Sequence, residues 1–288
     1  MKNLYIMKFT FNIIVILILS LVVNTAKSEE TEAVHFAYAN YLGSGIYKTT
    51  GQNATLMSLP FSYELGYEDK TSYELRLPIS VGFFDFDFGD FEFDLPDEVG
   101  TVTFTPGIAF NYQYDKNWVI ESYVDVGYGR NLTTSKGVSI LSGGVSGLYH
   151  FDYNNYDSIW SNRIYFARYD GNGYDAQDSY AAVQIGLDAG LPVKYQVLGY
   201  KFQPRLFATA FWYFSEVNFL TLNIRNVDGV SSSEDPKNVT LSNSFEAGFT
   251  LKFDKKIGYS WAGIERLGLS YRFSENFSAF RLLFSFPI

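Results

Sequence analysis

The 288-residue chain contains no cysteine, two histidines and three methionines. Without cysteine there is no disulfide framework, so side-chain burial and hydrogen bonding must supply the stability of the fold. The same scarcity excludes a zinc site built from Cys and His, and the sequence has no Gly-rich phosphate-binding loop. We therefore expect no cofactor and no bound metal of these kinds.

Long apolar runs are also missing, with one exception at the amino terminus. A bundle of membrane helices would show several runs of about 18 or more apolar residues. The exception is Phe9 to Val23, which follows two lysines and precedes the small-residue site Ala26-Lys27-Ser28. This pattern predicts a secretory signal peptide, residues 1–28, cleaved before Glu29. An uncleaved anchor helix is the alternative.

Basic residues are outnumbered, 22 Lys and Arg against 31 Asp and Glu, for a formal net charge of -9. Removal of the signal peptide, which carries three Lys and no acid, takes this charge to -12. An acidic chain without basic blocks is a poor partner for nucleic acid. No low-complexity linker interrupts residues 29–288, so we predict a single domain there.

Aromatic residues are abundant, with 27 Phe and 23 Tyr, and many of them fall on every second position. The alternation is clearest in the last eleven residues, where Phe280, Leu282, Phe284, Phe286 and Ile288 share one face. A period of two indicates a strand, and a strand of about 9 to 11 residues can cross a bilayer. The recurrence of the pattern predicts an all-β fold, a transmembrane antiparallel up-and-down β-barrel of about 12 strands. An edge strand of a soluble sandwich is the alternative.

The strand count depends on two segments. Counting Ala33 to Thr49 as the first strand, the chain has twelve strands if Glu216 to Arg225 belongs to a loop and thirteen if it spans. Single-chain bacterial barrels have an even number of strands, short periplasmic turns and longer outer loops. We therefore predict twelve. The expected inner turns are 67–70, 114–116, 154–157, 192–197 and 255–263, and the expected outer loops include 85–100, 170–177 and 215–238.

Four stretches resemble a known family of membrane proteins. They are Asn40 to Tyr47, Leu59 to Tyr63, Leu77 to Gly82 and Gly268 to Ile288. They resemble solitary outer-membrane barrels that look like an autotransporter translocator without its passenger. The resemblance implies a twelve-stranded barrel in the outer membrane of a Gram-negative bacterium, and it brings no catalytic residues. It also implies that Phe284, Phe286 and Ile288 are the assembly signal read by the barrel assembly machinery during insertion.

Charged residues on the polar faces of the strands are expected to line the lumen. They are Glu74, Arg76, Glu121, Asp125, Asp188, Lys201, Arg205, Glu246, Arg266, Arg272 and Arg281. Opposite charges that face one another in a narrow bore can pair. We expect a structural network of ion pairs, and a charge-selective, porin-like pore is the alternative.

An acidic and aromatic segment separates two of the predicted strands. Its carboxylates are Asp85, Asp87, Asp90, Glu92 and Asp94, interleaved with phenylalanines. Carboxylate oxygens can bind Ca²⁺ or bridge through divalent ions to lipopolysaccharide phosphates, while phenylalanine packs at the membrane rim. The segment lacks the spacing of an EF-hand. A solvated negative loop is the simpler interpretation, with outer-membrane lipid and lipopolysaccharide as its neighbours.

Hydrolase chemistry finds little support in the sequence. A Ser-His site needs the two side chains within hydrogen-bond reach. His150 is predicted to point into the lumen, and Ser146 lies four residues away on the same face, about 13 Å along a strand. We therefore expect a non-enzymatic structural or surface module, with a small diffusion pore and a barrel hydrolase as alternatives. The sequence does not indicate an oligomeric state.

Overall fold

A computed structural model describes residues 44–49, 53–84, 101–132, 135, 137–171, 177–197, 199–214, 217–219, 239–241, 243–259, 262–275 and 277–287. The fold of these residues is all β. The strands are β1 (Gly45–Thr49), β2 (Asn53–Glu68), β3 (Thr71–Phe84), β4 (Thr101–Phe104), β5 (Gly107–Gln113), β6 (Trp118–Asn131), β7 (Gly137–Tyr153), β8 (Tyr156–Gly171), β9 (Gln177–Gly190), β10 (Tyr195–Val197), β11 (Tyr200–Tyr213), β12 (Val217–Phe219), β13 (Val239–Leu241), β14 (Ser244–Tyr259), β15 (Ala262–Ser274) and β16 (Phe277–Leu283). No helix long and apolar enough to span a membrane occurs among the described residues.

The main sheet closes on itself. Each long strand pairs antiparallel with its neighbours in the chain, and β1 joins the two ends by pairing with both β16 and β2. β4 and β5 together fill one position between β3 and β6. β10 pairs with the same side of β11 as β9 does. The described strands therefore occupy twelve positions around an up-and-down barrel, which confirms the predicted fold class. Closure leaves the ring with no free edge strand at its ends.

The alternation of side chains gives this barrel an apolar outside and a polar inside. Exposed large side chains follow the outer face of most strands, including Leu65 on β2, Val126 on β6 and Phe280 on β16, which is 67% exposed. The fully buried side chains include Arg205, Arg272 and Glu246. A water-soluble domain distributes these residue types the opposite way.

The fourth position of the ring is an interrupted strand. The alternation of apolar residues from Val102 to Tyr112 predicts a single strand, and the structure instead breaks it at Thr105 and Pro106. Proline has no N–H to donate, so the ladder cannot continue through it unchanged. The backbone groups at the break still have hydrogen-bond partners. The Thr105 N–H donates to the Pro78 carbonyl at 3.2 Å, and the Pro106 carbonyl accepts from the Val126 N–H at 2.9 Å. A Cβ on the facing Gly127 would overlap this backbone.

The two segments on which the strand count depended are partly described. β12 and β13 form a separate two-stranded sheet, so the part of 216–225 that is described, Val217–Phe219, is no barrel strand. Of the predicted first strand, Gly45–Thr49 is in the sheet, and residues 33–43 lie outside the described residues. The acidic segment 85–100, with Asp85, Asp87, Asp90, Glu92 and Asp94, also lies outside them.

The short turns are tighter than the sequence predicted. The turn expected at 154–157 is a two-residue hairpin at Asn154 and Asn155, both with positive φ (49° and 66°), a geometry that asparagine tolerates. The turn expected at 255–263 is shortened as well, because β14 continues to Tyr259 and β15 begins at Ala262.

The terminal strand is shorter than predicted. β16 ends at Leu283, and Phe280 and Leu282 face outward as expected. Phe286 was expected on the same outer face, and that prediction is wrong: its ring lies at 4.7 Å from the guanidinium carbon of Arg266 and packs against buried Phe207 and Leu283. Among the described residues, the Leu282 N–H makes the last backbone hydrogen bond on the β1 side, to the Ser44 carbonyl. Pro287 has no N–H to donate to a ladder. Ile288 lies outside the described residues.

The turn between β5 and β6 is held by one carboxylate. Asp115 Oδ1 accepts the N–H groups of Asn117 at 2.8 Å and Trp118 at 2.9 Å. These backbone hydrogen bonds lower the pKa of the Asp115 carboxyl below its ordinary value. A lowered pKa in the folded state means that the contribution to stability is present above the unfolded pKa and is lost as the pH falls through the folded one.

We therefore expect Asp115→Ala to lower the free energy of unfolding at pH 7, and to differ less from the parent protein near pH 3. Denaturant titration of the refolded barrel at both pH values measures this. Asp69→Asn in the neighbouring turn is the control, since asparagine also tolerates the φ of 52° found there. A deficit that is equal at both pH values would contradict the assigned role of the carboxylate.

Candidate functional site

Most of the charged residues predicted to line the lumen lie inside the barrel. Asp125, Asp188, Arg205, Glu246, Arg266, Arg272 and Arg281 are buried, and Glu74, Arg76 and Glu121 are partly exposed within it. Lys201 differs, because it is exposed where β11 pairs with β10 beside a turn. Lys201 has the parity predicted for the lumen, and its height on the strand places it at the rim of the barrel.

Asp188 on β9 is the centre of the largest ionic cluster. Its carboxylate accepts from Arg205 on β11 through one oxygen and from Arg266 on β15 through the other, and all three side chains are buried. β9 and β15 are separated in the ring by β11 and β14. The Arg266–Asp188 pair therefore joins β9 and β15, which lie a quarter of the circumference apart, across the bore.

Arg205 also reaches a second strand. Its Nη1 donates to Asp157 Oδ2 at 2.8 Å, and its Nη2 donates to the Asp157 carbonyl at 3.0 Å. Asp157 lies on β8, so the guanidinium spans β9 at Gly190, where a Cβ would overlap Arg205. The buried cation thus has two carboxylate partners, which compensates the cost of removing it from water.

A second cluster lies on β14, β15 and β16. Glu246 accepts from Arg281 through Oε2 and from the Ser270 hydroxyl at 2.6 Å through Oε1. Nearby, Arg272 donates to the Ser244 hydroxyl at 3.0 Å. Both clusters pair charges across intervening strands, so the network of ion pairs that the sequence led us to expect is found here.

A third pair lies on the opposite wall. Arg76 on β3 donates from Nε to Asp125 Oδ1 on β6 at 2.8 Å. The strand between them is β5, and the residue opposite both partners in the register is Gly107. A Cβ at Gly107 would overlap the Asp125 carboxylate and the Val124 carbonyl oxygen. Glycine at this position therefore leaves the space through which the pair forms.

An aromatic cluster occupies the same interior. Tyr165 and Tyr180 pack edge to face with centroids 6.0 Å apart, Tyr180 lies 6.3 Å from Tyr213, and the guanidinium carbon of Arg272 lies 3.7 Å above the Phe211 ring. These rings are not among the residues predicted from the sequence to line the lumen. Their parity on β8, β9 and β11 matched that of the charged residues, and this signal could have found them.

A cavity of about 410 Å³ remains inside the barrel. Its lining includes Glu74, Glu121, Arg163, Tyr165 and, from the end of the chain, residues 282–287. The charged groups on its wall are themselves engaged: Arg163 Nη2 lies 3.6 Å from Glu121 Oε2, and Asn111 donates to Glu74 at 3.4 Å. The cavity is large enough for several water molecules.

The candidate hydrolase pair is not assembled as a Ser-His site. The Ser146 hydroxyl accepts a hydrogen bond from Arg163 Nε at 2.7 Å. The backbone of His150 is held by Asn117, which accepts from its N–H at 2.7 Å and donates to its carbonyl at 2.6 Å. Among the described residues, no group of three or more His, Asp or Glu could hold a metal ion.

Comparisons with known proteins assign no family to the chain. No protein-family model and no curated protein matches the chain. Among solved structures, the chain is similar to the β domain of the Bordetella autotransporter BrkA, with a TM-score of 0.47 and 12% sequence identity. The match covers 83% of this chain and 95% of that one.

Asp188→Ala would leave Arg205 and Arg266 buried without their shared carboxylate. Removal of one partner from a buried ion pair typically costs about 3–5 kcal/mol, and we expect a loss in this range. Asp170→Ala is the matched control, because the Arg168–Asp170 pair at 3.4 Å is exposed, with 43% and 58% of the side chains accessible. Its loss should stay below about 1 kcal/mol. Denaturant unfolding of both variants in lipid tests the difference, and equal losses would contradict the bracing role of Asp188.

Gly107→Ala is expected to destabilise the barrel by about 1–3 kcal/mol, because the new methyl group overlaps backbone and displaces the Asp125 carboxylate from Arg76. Gly66→Ala is the control, since nothing lies within 4 Å of a Cβ built there. That change should be neutral or stabilise by up to about 1 kcal/mol. Thermal unfolding of the two variants measures the effect. A neutral Gly107→Ala would show that the Arg76–Asp125 pair is not tightly packed over residue 107 of β5.

Proposed function

We propose that this protein is an integral outer-membrane β-barrel that acts without catalysis, as a closed structural module presenting its outer loops at the cell surface. The observation that carries the proposal is the pairing of buried charges across the bore by Arg266, Asp188 and Arg205. A conducting pore would leave such groups lined up along water, whereas here they bind one another.

Location in a membrane is supported by the outer face. Side chains such as Leu65, Val126, Leu206 and Leu269 are more than half exposed, on a barrel whose interior is charged. An exposed apolar band of this extent is stable where lipid covers it. The ring of paired strands also satisfies its backbone groups internally, as the hydrocarbon core of a bilayer requires. The predicted signal peptide supplies a route to the outer membrane.

A closed bore is supported by three groups of side chains. The Asp188 and Glu246 clusters brace one half of the ring, the Arg76–Asp125 pair lies on the other half, and the aromatic rings around Tyr180 fill space between them. The carboxylates of Asp125, Asp188 and Glu246 each have an arginine partner. Few unpaired charges among the described residues therefore remain to attract ions into the interior.

The sidedness of the strands supports a role at the surface. The turns at 69–70 and 154–155 lie at one end of the barrel, as do the strand ends Tyr259 and Ala262. The strand ends that flank 85–100 and 172–176 lie at the other end. Outer-membrane barrels place short turns in the periplasm and long loops outside. On this orientation, Phe84 and Thr101, the strand ends that flank the acidic segment, face the lipopolysaccharide layer.

Conductance in a planar bilayer tests the closed state. We expect the refolded protein to show no steady current, while an open diffusion porin reconstituted in the same way conducts. Heat-modifiable mobility on electrophoresis establishes beforehand that the protein is folded. A steady current would overturn the closed module in favour of the pore, and a change of ion selectivity in Arg205→Glu would then assign the current to this lumen.

A further inference from the structure

Residues 284–287 leave the barrel wall and turn into the interior. After Leu283 the sheet stops, and Phe286 packs against the buried pair formed by Phe207 and Leu283. The Pro287 carbonyl accepts a hydrogen bond at 3.4 Å from Nε2 of Gln184 on β9, which is itself buried. Residues 284–287 all line the interior cavity.

The local structure explains why the strand stops where it does. The Leu282 N–H donates to the Ser44 carbonyl at 3.0 Å, and the Ser44 hydroxyl bonds to both the N–H and the carbonyl of Ser58 on β2, at 2.7 and 2.6 Å. The Ser44 side chain thus takes backbone bonds on β2 that a continuing β1 would make. Pro287 has no N–H to donate, so the ladder cannot continue through it.

The position of Phe286 is unusual for a charged interior, and the site that receives it is specific. The guanidinium carbon of Arg266 lies 4.7 Å from its ring centroid, in the range of a cation–π contact. Arg266 is oriented by its ion pair with Asp188, so the face of the guanidinium is already positioned for a ring. Phe207 and Leu283 supply an apolar wall, and Gln184 supplies a donor for a backbone carbonyl.

We propose that this interior site recognises a short aromatic peptide segment, and that residues 284–287 occupy it as a tethered plug whose release opens the bore. The inference rests on the closed state proposed above. It adds that closure has a removable part, because the wall pairs are built into strands, whereas the plug is held by one ring contact, one hydrogen bond and apolar packing.

Removal of the plug should make a silent barrel conduct. We expect deletion of residues 284–288 to give steady current, and Phe286→Ala to raise the open fraction about tenfold through loss of the ring contacts. Phe280→Ala is the matched control, since this phenylalanine of the same terminal stretch faces outward. Each variant is refolded in detergent as the full barrel, and folding is checked by heat-modifiable mobility before recording.

A synthetic peptide with the sequence of residues 284–288 probes the emptied site directly. Added to the deletion variant, it should suppress the current, and a peptide with alanine in place of the phenylalanine at 286 should not. Because the chain has no cysteine, proximity can also be measured in the full-length protein. A short bismaleimide should link the double variant Gln184→Cys/Pro287→Cys, and should not link Gln184→Cys/Phe280→Cys.

The outcomes separate this inference from the proposed function. If the parent protein conducts, the proposed closed module is overturned, regardless of the role of the plug. If the parent is silent and the folded deletion and Phe286→Ala variants stay silent too, the plug is overturned and the closed module stands. Absence of the Gln184→Cys/Pro287→Cys link would overturn the plug independently, even if the deletion variant does not refold.

Discussion

The pairing of arginine with carboxylate inside the ring is the interaction on which the rest of this structure depends. Asp188 is fully buried, and its two oxygens are each engaged by an arginine from a different strand. A charge in that position without a partner would oppose closure of the barrel, because its transfer from water is costly. With both partners present, the same charge joins β9, β11 and β15 across the interior.

The ion pairs in turn constrain the walls between them. Arg76 and Arg205 each reach past an intervening strand, and in both cases the residue passed is a glycine, Gly107 or Gly190. A side chain at either position would occupy the space of the guanidinium or its partner. Glycine is required at these two positions because the ion-paired side chains pass over them. Neither glycine has a positive φ, so the conformational freedom of glycine is not the reason.

The sequence predicted the general architecture well because alternation is a local property. The outward positions of Phe280 and Leu282 and the inward positions of Arg281 and Asp188 follow from parity within a single strand, and the structure agrees. Parity does not report height along the barrel, which is why Lys201 was placed in the lumen and lies at the rim. It also says nothing about where pairing stops, and the prediction for Phe286 was wrong for that reason.

The sequence by itself determined the strands and the side of the wall that most residues face, because these depend on a period of two read along one strand. The count of twelve positions followed from the even strand number of single-chain barrels. Only the tertiary structure decided which charges pair, where glycine is required and that residues 284–287 turn into the bore. Those features depend on the register between strands distant in sequence, such as β9 and β15, and a pattern within one segment carries no information about it.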